Sequence, residues 1–196
     1  MFHFRILAAI TLAALTAAHA LGSEGHHVHT DIVVAHDADN KIVLEADLGE
    51  PYDLTPTTGS LLGDGFIGDD PGFNVLETDE PGEGLYSFVG DGANIILTVD
   101  SISAGLSIYD TNLNSLGVGS TFTLGNDFHD HLDFFAASPG ASLGDMFSAS
   151  FTLSDGSGSL SDSDPFTINF TAVPEPASLV LLGLGATVLA TRRRRA

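Results

Sequence analysis

The sequence predicts an all-β protein, a single antiparallel β-sandwich of eight to ten strands, and three observations carry that reading. Apolar residues recur with period two, as in Ile42-Leu44-Ala46, Ile95-Leu97-Val99 and Phe166-Ile168-Phe170. Successive side chains of a strand point to opposite faces, so this spacing builds one apolar face per strand. The runs are bounded by turn residues such as Gly63-Asp64-Gly65, Asp69-Asp70-Pro71-Gly72 and Gly90-Asp91-Gly92. Glycine and the Asp-Gly and Pro-Gly pairs supply the positive φ angles of tight turns. Finally, no internal stretch of ten or more residues keeps a 3.6-residue period, and each of the many glycines would cost a helix about 1 kcal/mol. A closed barrel is the alternative arrangement.

In chain order the expected strands are 27–34, 41–47, 72–77, 85–89, 93–100, 104–109, 119–124, 128–135, 146–153 and 165–171. Between the second and third, Gly49 to Gly72 holds Pro51, Pro56 and several glycines and aspartates, and reads as a long surface excursion with at most one short strand. Ser154 to Asp164 reads as the turn between the last two strands. The sandwich is expected to be flanked by two helices that take no part in it, one at each end.

At the start, Met1–Arg5 is a short basic region and Ile6–Ala18 an apolar run, followed by the small-x-small site Ala18-His19-Ala20. That order predicts a signal peptide over 1–20, removed by signal peptidase to leave Leu21 first. The sandwich then occupies 21–172, long enough for one domain with a real core. With no cysteine in the chain, it must be held by that core or by a bound metal rather than by disulfides.

Charge narrows the function. The stretch from Glu24 to Glu175 carries all 26 acidic residues and one basic residue, Lys41, a net of −25 before any histidine protonation. Such a surface is repelled by nucleic acid and by anionic lipid, and attracts cations.

From Val173 the chain reads Val-Pro174-Glu175-Pro176-Ala-Ser, then an apolar run from Leu179 to Ala190 broken only by Thr187, then Thr191 and Arg192, Arg193, Arg194 and Arg195. Residues 173–196 resemble the PEP-CTERM sorting signal of exosortase substrates. The resemblance implies handling by an exosortase, cleavage near the motif, and delivery to the cell surface or an extracellular polysaccharide matrix. The physics is that of a temporary inner-membrane anchor. As a helix, Ala177–Thr191 spans about 22 Å, short of the roughly 30 Å hydrocarbon core, and the arginines would hold its end in the cytoplasm.

Six histidines follow the expected cleavage site: His26, His27, His29, His36, His129 and His131. Two segments share the pattern His-x-His-x-Asp, namely His27-Val-His29-Thr-Asp31 and His129-Asp-His131-Leu-Asp133. On a strand, residues i, i+2 and i+4 share a face at about 6.6 Å per step, so each segment would present two imidazoles and a carboxylate in a row. If the two strands are neighbours, the four imidazoles could hold Zn²⁺, with the aspartates as ligands or as acceptors for the ring N–H groups. The competing reading is that exposed His and Asp merely solvate the outer face. Ca²⁺ is a second, weaker candidate, at Asp155-Gly-Ser-Gly and Asp162-Ser-Asp164, whose spacing does not match an EF-hand loop.

The body also resembles a group of exported PEP-CTERM proteins of the kind repressed by a zinc-uptake regulator. His29-Thr-Asp-Ile32, Phe128-His-Asp-His-Leu-Asp-Phe134 and Ser163-Asp-Pro-Phe166 carry the resemblance. It implies a zinc-linked role, with no established enzymatic activity. No Ser, His and Asp are recognised in a nucleophile-elbow context, and no catalytic residue is assigned. The expectation is an exported acidic β-domain that binds a divalent metal, zinc favoured. The alternative is a structural or adhesive component of the polysaccharide matrix with no specific metal site.

Overall fold

The computed structural model describes residues 31–174. The expected signal peptide, the first residues of the 27–34 strand and the sorting helix lie outside the described residues.

Twelve strands follow one another: β1 (Ile32–His36), β2 (Ile42–Glu45), β3 (Tyr52–Ser60), β4 (Gly63–Gly68), β5 (Phe73–Val75), β6 (Ile95–Ile102), β7 (Leu106–Tyr109), β8 (Thr121–Gly125), β9 (His129–Asp130), β10 (Asp133–Ala137), β11 (Met146–Asp155) and β12 (Phe166–Ala172). There is no helix among the described residues. The strands form a small sheet in the order β2-β1-β5-β9 and a large one in the order β7-β10-β4-β3-β12-β11-β6-β8.

Period two does the folding work. In β11, Phe147, Ala149, Phe151, Leu153 and Asp155 are buried while the residues between them are half-exposed, and β6 and β12 alternate likewise. The small sheet turns Ile32, Val34, Phe73 and Val75 inward, all at most 3% exposed. Phe73 lies edge-on to Phe151 and Phe166 of the large sheet, with ring centroids 6.4 Å away in both cases. Each such buried side chain contributes about 1.5–3 kcal/mol, so this aromatic contact holds the layers face to face as a sandwich.

Beyond the number of strands, twelve where eight to ten were expected, four details differ from the sequence expectation. Gly49–Gly72 is no surface excursion: β3 and β4 form a hairpin in the middle of the large sheet, with Tyr52 and Leu54 in the core. Pro56 is tolerated because β12 pairs only with Tyr52–Leu54, so the missing N–H at Pro56 faces no strand on that side. Residues 85–89 form no strand, making only the isolated bridges Glu80↔Leu85 and His36↔Tyr86. The sandwich is not purely antiparallel, since β1 pairs with β5 and β12 with β3 in parallel. Parallel neighbours need a long crossover, and here the intervening strands supply it. Finally, 128–135 is two strands in different sheets. β9 pairs with β5, whereas β10 lies between β7 and β4, and Leu132, 1% exposed, is buried where the chain crosses.

Candidate metal centre

The crossover creates the site. Asp31 immediately precedes β1 and Gly72 immediately precedes β5, and the Ile32 N–H donates to the Gly72 carbonyl at 2.9 Å. β9 runs antiparallel beside β5 and ends toward the same place. Across the small sheet Glu45, Val33, Asn74 and His129 stand in one register row. All four are exposed or half-exposed, so the row lies on the outer face.

At the end of that face Asp31, His129 and His131 converge, with one potential ligand atom of each within 4.8 Å of the others. The His129 Nε2 is 2.8 Å from Asp31 Oδ2 and 3.1 Å from His131 Nε2. A tetrahedral ion with bonds of about 2.1 Å separates its ligands by about 3.4 Å, so the two close pairs would each open by roughly half an ångström.

The hydrogen bonds orient the lone pairs. His131 Nδ1 is 2.8 Å from the Asp69 carbonyl. A carbonyl can only accept, so Nδ1 carries the proton and the Nε2 of neutral His131 presents a lone pair toward His129 and Asp31. Metal-binding histidines are commonly oriented in this way, by a carbonyl on the far ring nitrogen. The Asp31 Oδ1 accepts the Gly72 N–H at 3.1 Å, leaving Oδ2 toward the imidazoles. Gly72 also gives them space. A Cβ on it would lie 2.6 Å from His131 Cε1, 2.7 Å from its Nε2 and 2.8 Å from Asp31 Oδ1.

Negative charge dominates the surroundings. Tyr52 has its pKa raised, first by burial and then by Asp47, Asp70 and Asp31. Asp133 is also raised, first by burial and then by Asp69. Lys41, the one lysine among the described residues, precedes β2 at the His36 end of the sheet and pairs with Asp164 at 2.8 Å. An open cavity of about 590 Å³ lined by Asp31, Val33, Glu45, Ala46 and Asp47 adjoins the centre on the same face.

Of the residues expected from the sequence, Asp31, His129 and His131 come together. Asp133 stands apart from this set, opening β10 opposite Tyr109 in the large sheet. The switch of sheet between His131 and Asp133 breaks the row of three that a single strand would have made. His27 and His29 lie outside the described residues. His36, at the far end of β1, stacks on Tyr86 with ring centroids 5.6 Å apart. The sequence reading missed Gly72 and the Asp69 carbonyl, because a backbone acceptor and an absent side chain leave no chemical signature in a sequence.

The Ca²⁺ candidate has a different design. Asp155 accepts hydrogen bonds from the N–H groups of Asn94, Ser157, Ser159 and Leu160 at 2.8–3.1 Å, and from the Ser157 hydroxyl at 2.6 Å. Burial alone would raise its pKa, but these donors hold it well below the usual carboxylate range. Asp164 is the partner of Lys41.

One Gly-x-Ser-x-Gly match does occur, Gly140-Ala-Ser142-Leu-Gly144, against the expectation of no elbow context. It is a turn between β10 and β11 rather than a strand-to-helix elbow. Ser142 is exposed, and its N–H donates to Asp145 at 2.8 Å.

No curated protein and no solved structure matches the chain. Residues 172–195 match the family model of the PEP-CTERM protein-sorting motif. The tail read from Pro174-Glu175-Pro176 and the closing arginines is therefore a PEP-CTERM sorting signal, the mark of an exported protein handled by an exosortase.

Proposed function

We propose that this exported protein binds a divalent transition-metal ion at the cell surface, zinc the favoured ion, through Asp31, His129 and His131. The observation that supports this best is the convergence of two imidazole nitrogens and one carboxylate oxygen, with His131 held by a carbonyl on its other nitrogen. Three such ligands leave at least one position open on Zn²⁺. His29 and His27, two and four residues before Asp31, are the proposed source of further ligands. No catalytic role is proposed. The adjoining acidic cavity supports capture of the ion from solution, since negative potential raises the local cation concentration.

A second reading is favoured by charge alone. One lysine against so many carboxylates suits a matrix component that divalent ions cross-link weakly to polysaccharide, with no defined site.

Calorimetric titration of zinc into the purified protein separates the two. The metal-centre reading expects saturation at one ion per chain, lost in the double variant His129→Ala/His131→Ala and weakened in acid, where protons compete for the imidazoles. Nonsaturating binding that salt abolishes, unchanged in the double variant, would reject it in favour of the matrix reading.

A further inference from the structure

We infer that Gly72 is the positioning residue that makes this centre a site for a nitrogen-preferring transition ion and not for calcium; the inference rests on the metal-binding reading above. Two properties of Gly72 act together. Its N–H engages Asp31 Oδ1 at 3.1 Å. That leaves one oxygen, Oδ2, beside the His129 nitrogen at 2.8 Å. Asp31 thus offers a single oxygen. Ca²⁺ takes six to eight oxygen ligands, often with a carboxylate bound through both. Two imidazoles and one carboxylate oxygen instead suit the zinc class of ions.

The second property is the missing side chain. The Cβ position of Gly72 falls 2.6–2.8 Å from the ends of His131 and Asp31, and no backbone atom is among the three nearest. Its φ lies outside the left-handed region, so alanine can adopt the same backbone. An added methyl therefore pushes on the two ligands rather than on the fold. The β1–β5 pairing, which uses the Gly72 carbonyl, is retained. Gly72 is buried, and the space it leaves is taken up by ligand side chains, not by core.

The test is zinc and calcium titration of the wild-type protein, Gly72→Ala and His129→Ala/His131→Ala, with far-UV circular dichroism of each metal-free form. Gly72→Ala is expected to keep the β spectrum while zinc affinity falls about 10- to 100-fold, the usual cost of disturbing groups that orient ligands. Equimolar calcium is expected to leave the wild-type zinc isotherm unchanged. If zinc binds the wild type and is lost in the histidine variant, yet Gly72→Ala binds as the wild type does, Gly72 has no positioning role while the metal reading stands. Calcium competing equally with zinc would overturn the selectivity. Failure of the wild type to bind zinc would overturn the reading and this inference with it. If Gly72→Ala does not fold, Asp31→Asn decides. Its amide oxygen can still accept from Gly72, but an NH₂ replaces the metal-facing oxygen, so zinc binding should fall at least about tenfold. Wild-type affinity in folded Asp31→Asn would overturn the inference.

Discussion

Asp31, half-buried, and Asp155, buried, are two carboxylates whose surroundings give them opposite uses. Asp155 turns both oxygens to N–H and hydroxyl donors of the loop that follows β11, with Asn94 closing from across the sheet. Asp31 gives one oxygen to a backbone N–H and turns the other to the His129 Nε2, which donates to it in the ion-free protein and can give a metal its lone pair once that proton leaves. A carboxylate saturated by donors is part of the fold's own hydrogen bonding. One that faces an imidazole can exchange the proton between them for a cation. Residue type does not separate the two; the partners do.

The largest expected effect breaks the Asp31 side of the comparison. Zinc at 100 times its Kd should stabilise the native protein by about 2.7 kcal/mol, raising Tm by several degrees, about 2–4 °C per kcal/mol in a domain of this size. In His129→Ala/His131→Ala, calorimetric melts should show no rise, and Asp155→Ala should keep the full rise. A zinc-induced rise that survives removal of both histidines would place the ion elsewhere.

Next in size is Asp155→Ala, which should cost about 2 kcal/mol of unfolding free energy, because charge-assisted hydrogen bonds from several donors are lost at once. Urea melts measure this. A change below about 0.5 kcal/mol would mean that water replaces the carboxylate freely.

A smaller effect sharpens the comparison through pH. The fold lowers the pKa of Asp155, so the stability it contributes is complete above the unfolded-state value of about 3.9. That stability is lost as pH falls toward the depressed folded value. Asp110, lowered by the Asn114 side-chain and backbone donors, acts in the same direction. Replacing Asp155 by Asn should therefore flatten the fall in stability between about pH 5 and pH 2. An unchanged slope would show that other carboxylates carry it.

The smallest effect is expected at His36. Its ring stacks on Tyr86 and its Nδ1 lies 2.8 Å from the Asp37 carbonyl, about 17 Å along β1 from Asp31 at strand rise. His36→Ala should leave the zinc-induced Tm rise intact and change stability by less than about 1 kcal/mol. Loss of the rise would extend the site along the strand.

The two metal expectations differed in how legible they were. Ile95-Leu97-Val99 and Phe166-Ile168-Phe170 announced β6 and β12, because local alternation and burial agree there. The β3–β4 hairpin was hidden by Pro56 and its glycines, which are turn signals in isolation. Here they mark a strand stretch unpaired on one side and a place, Gly65, where the Ala136 carbonyl comes too close for any side chain. His129 and His131 were singled out by their spacing, and they do meet. They meet where the chain leaves one sheet for the other, and that departure is also why Asp133 is lost from the set.

By itself the sequence determined the all-β class, the acidic surface with a lone lysine, the candidate ligand types and the sorting tail. Each of these is local, written in composition, in period-two alternation or in a contiguous motif. Only the tertiary structure decided which carboxylate joins the imidazoles, that a glycine makes room for them, and that an aspartyl carbonyl aims one ring. Those facts depend on chain segments 41 and 62 residues apart being brought within hydrogen-bond reach, and the parallel β1–β5 pairing and the β9–β10 crossover bring them there. Pairing partners are chosen by the packing of the whole core, which no local pattern encodes.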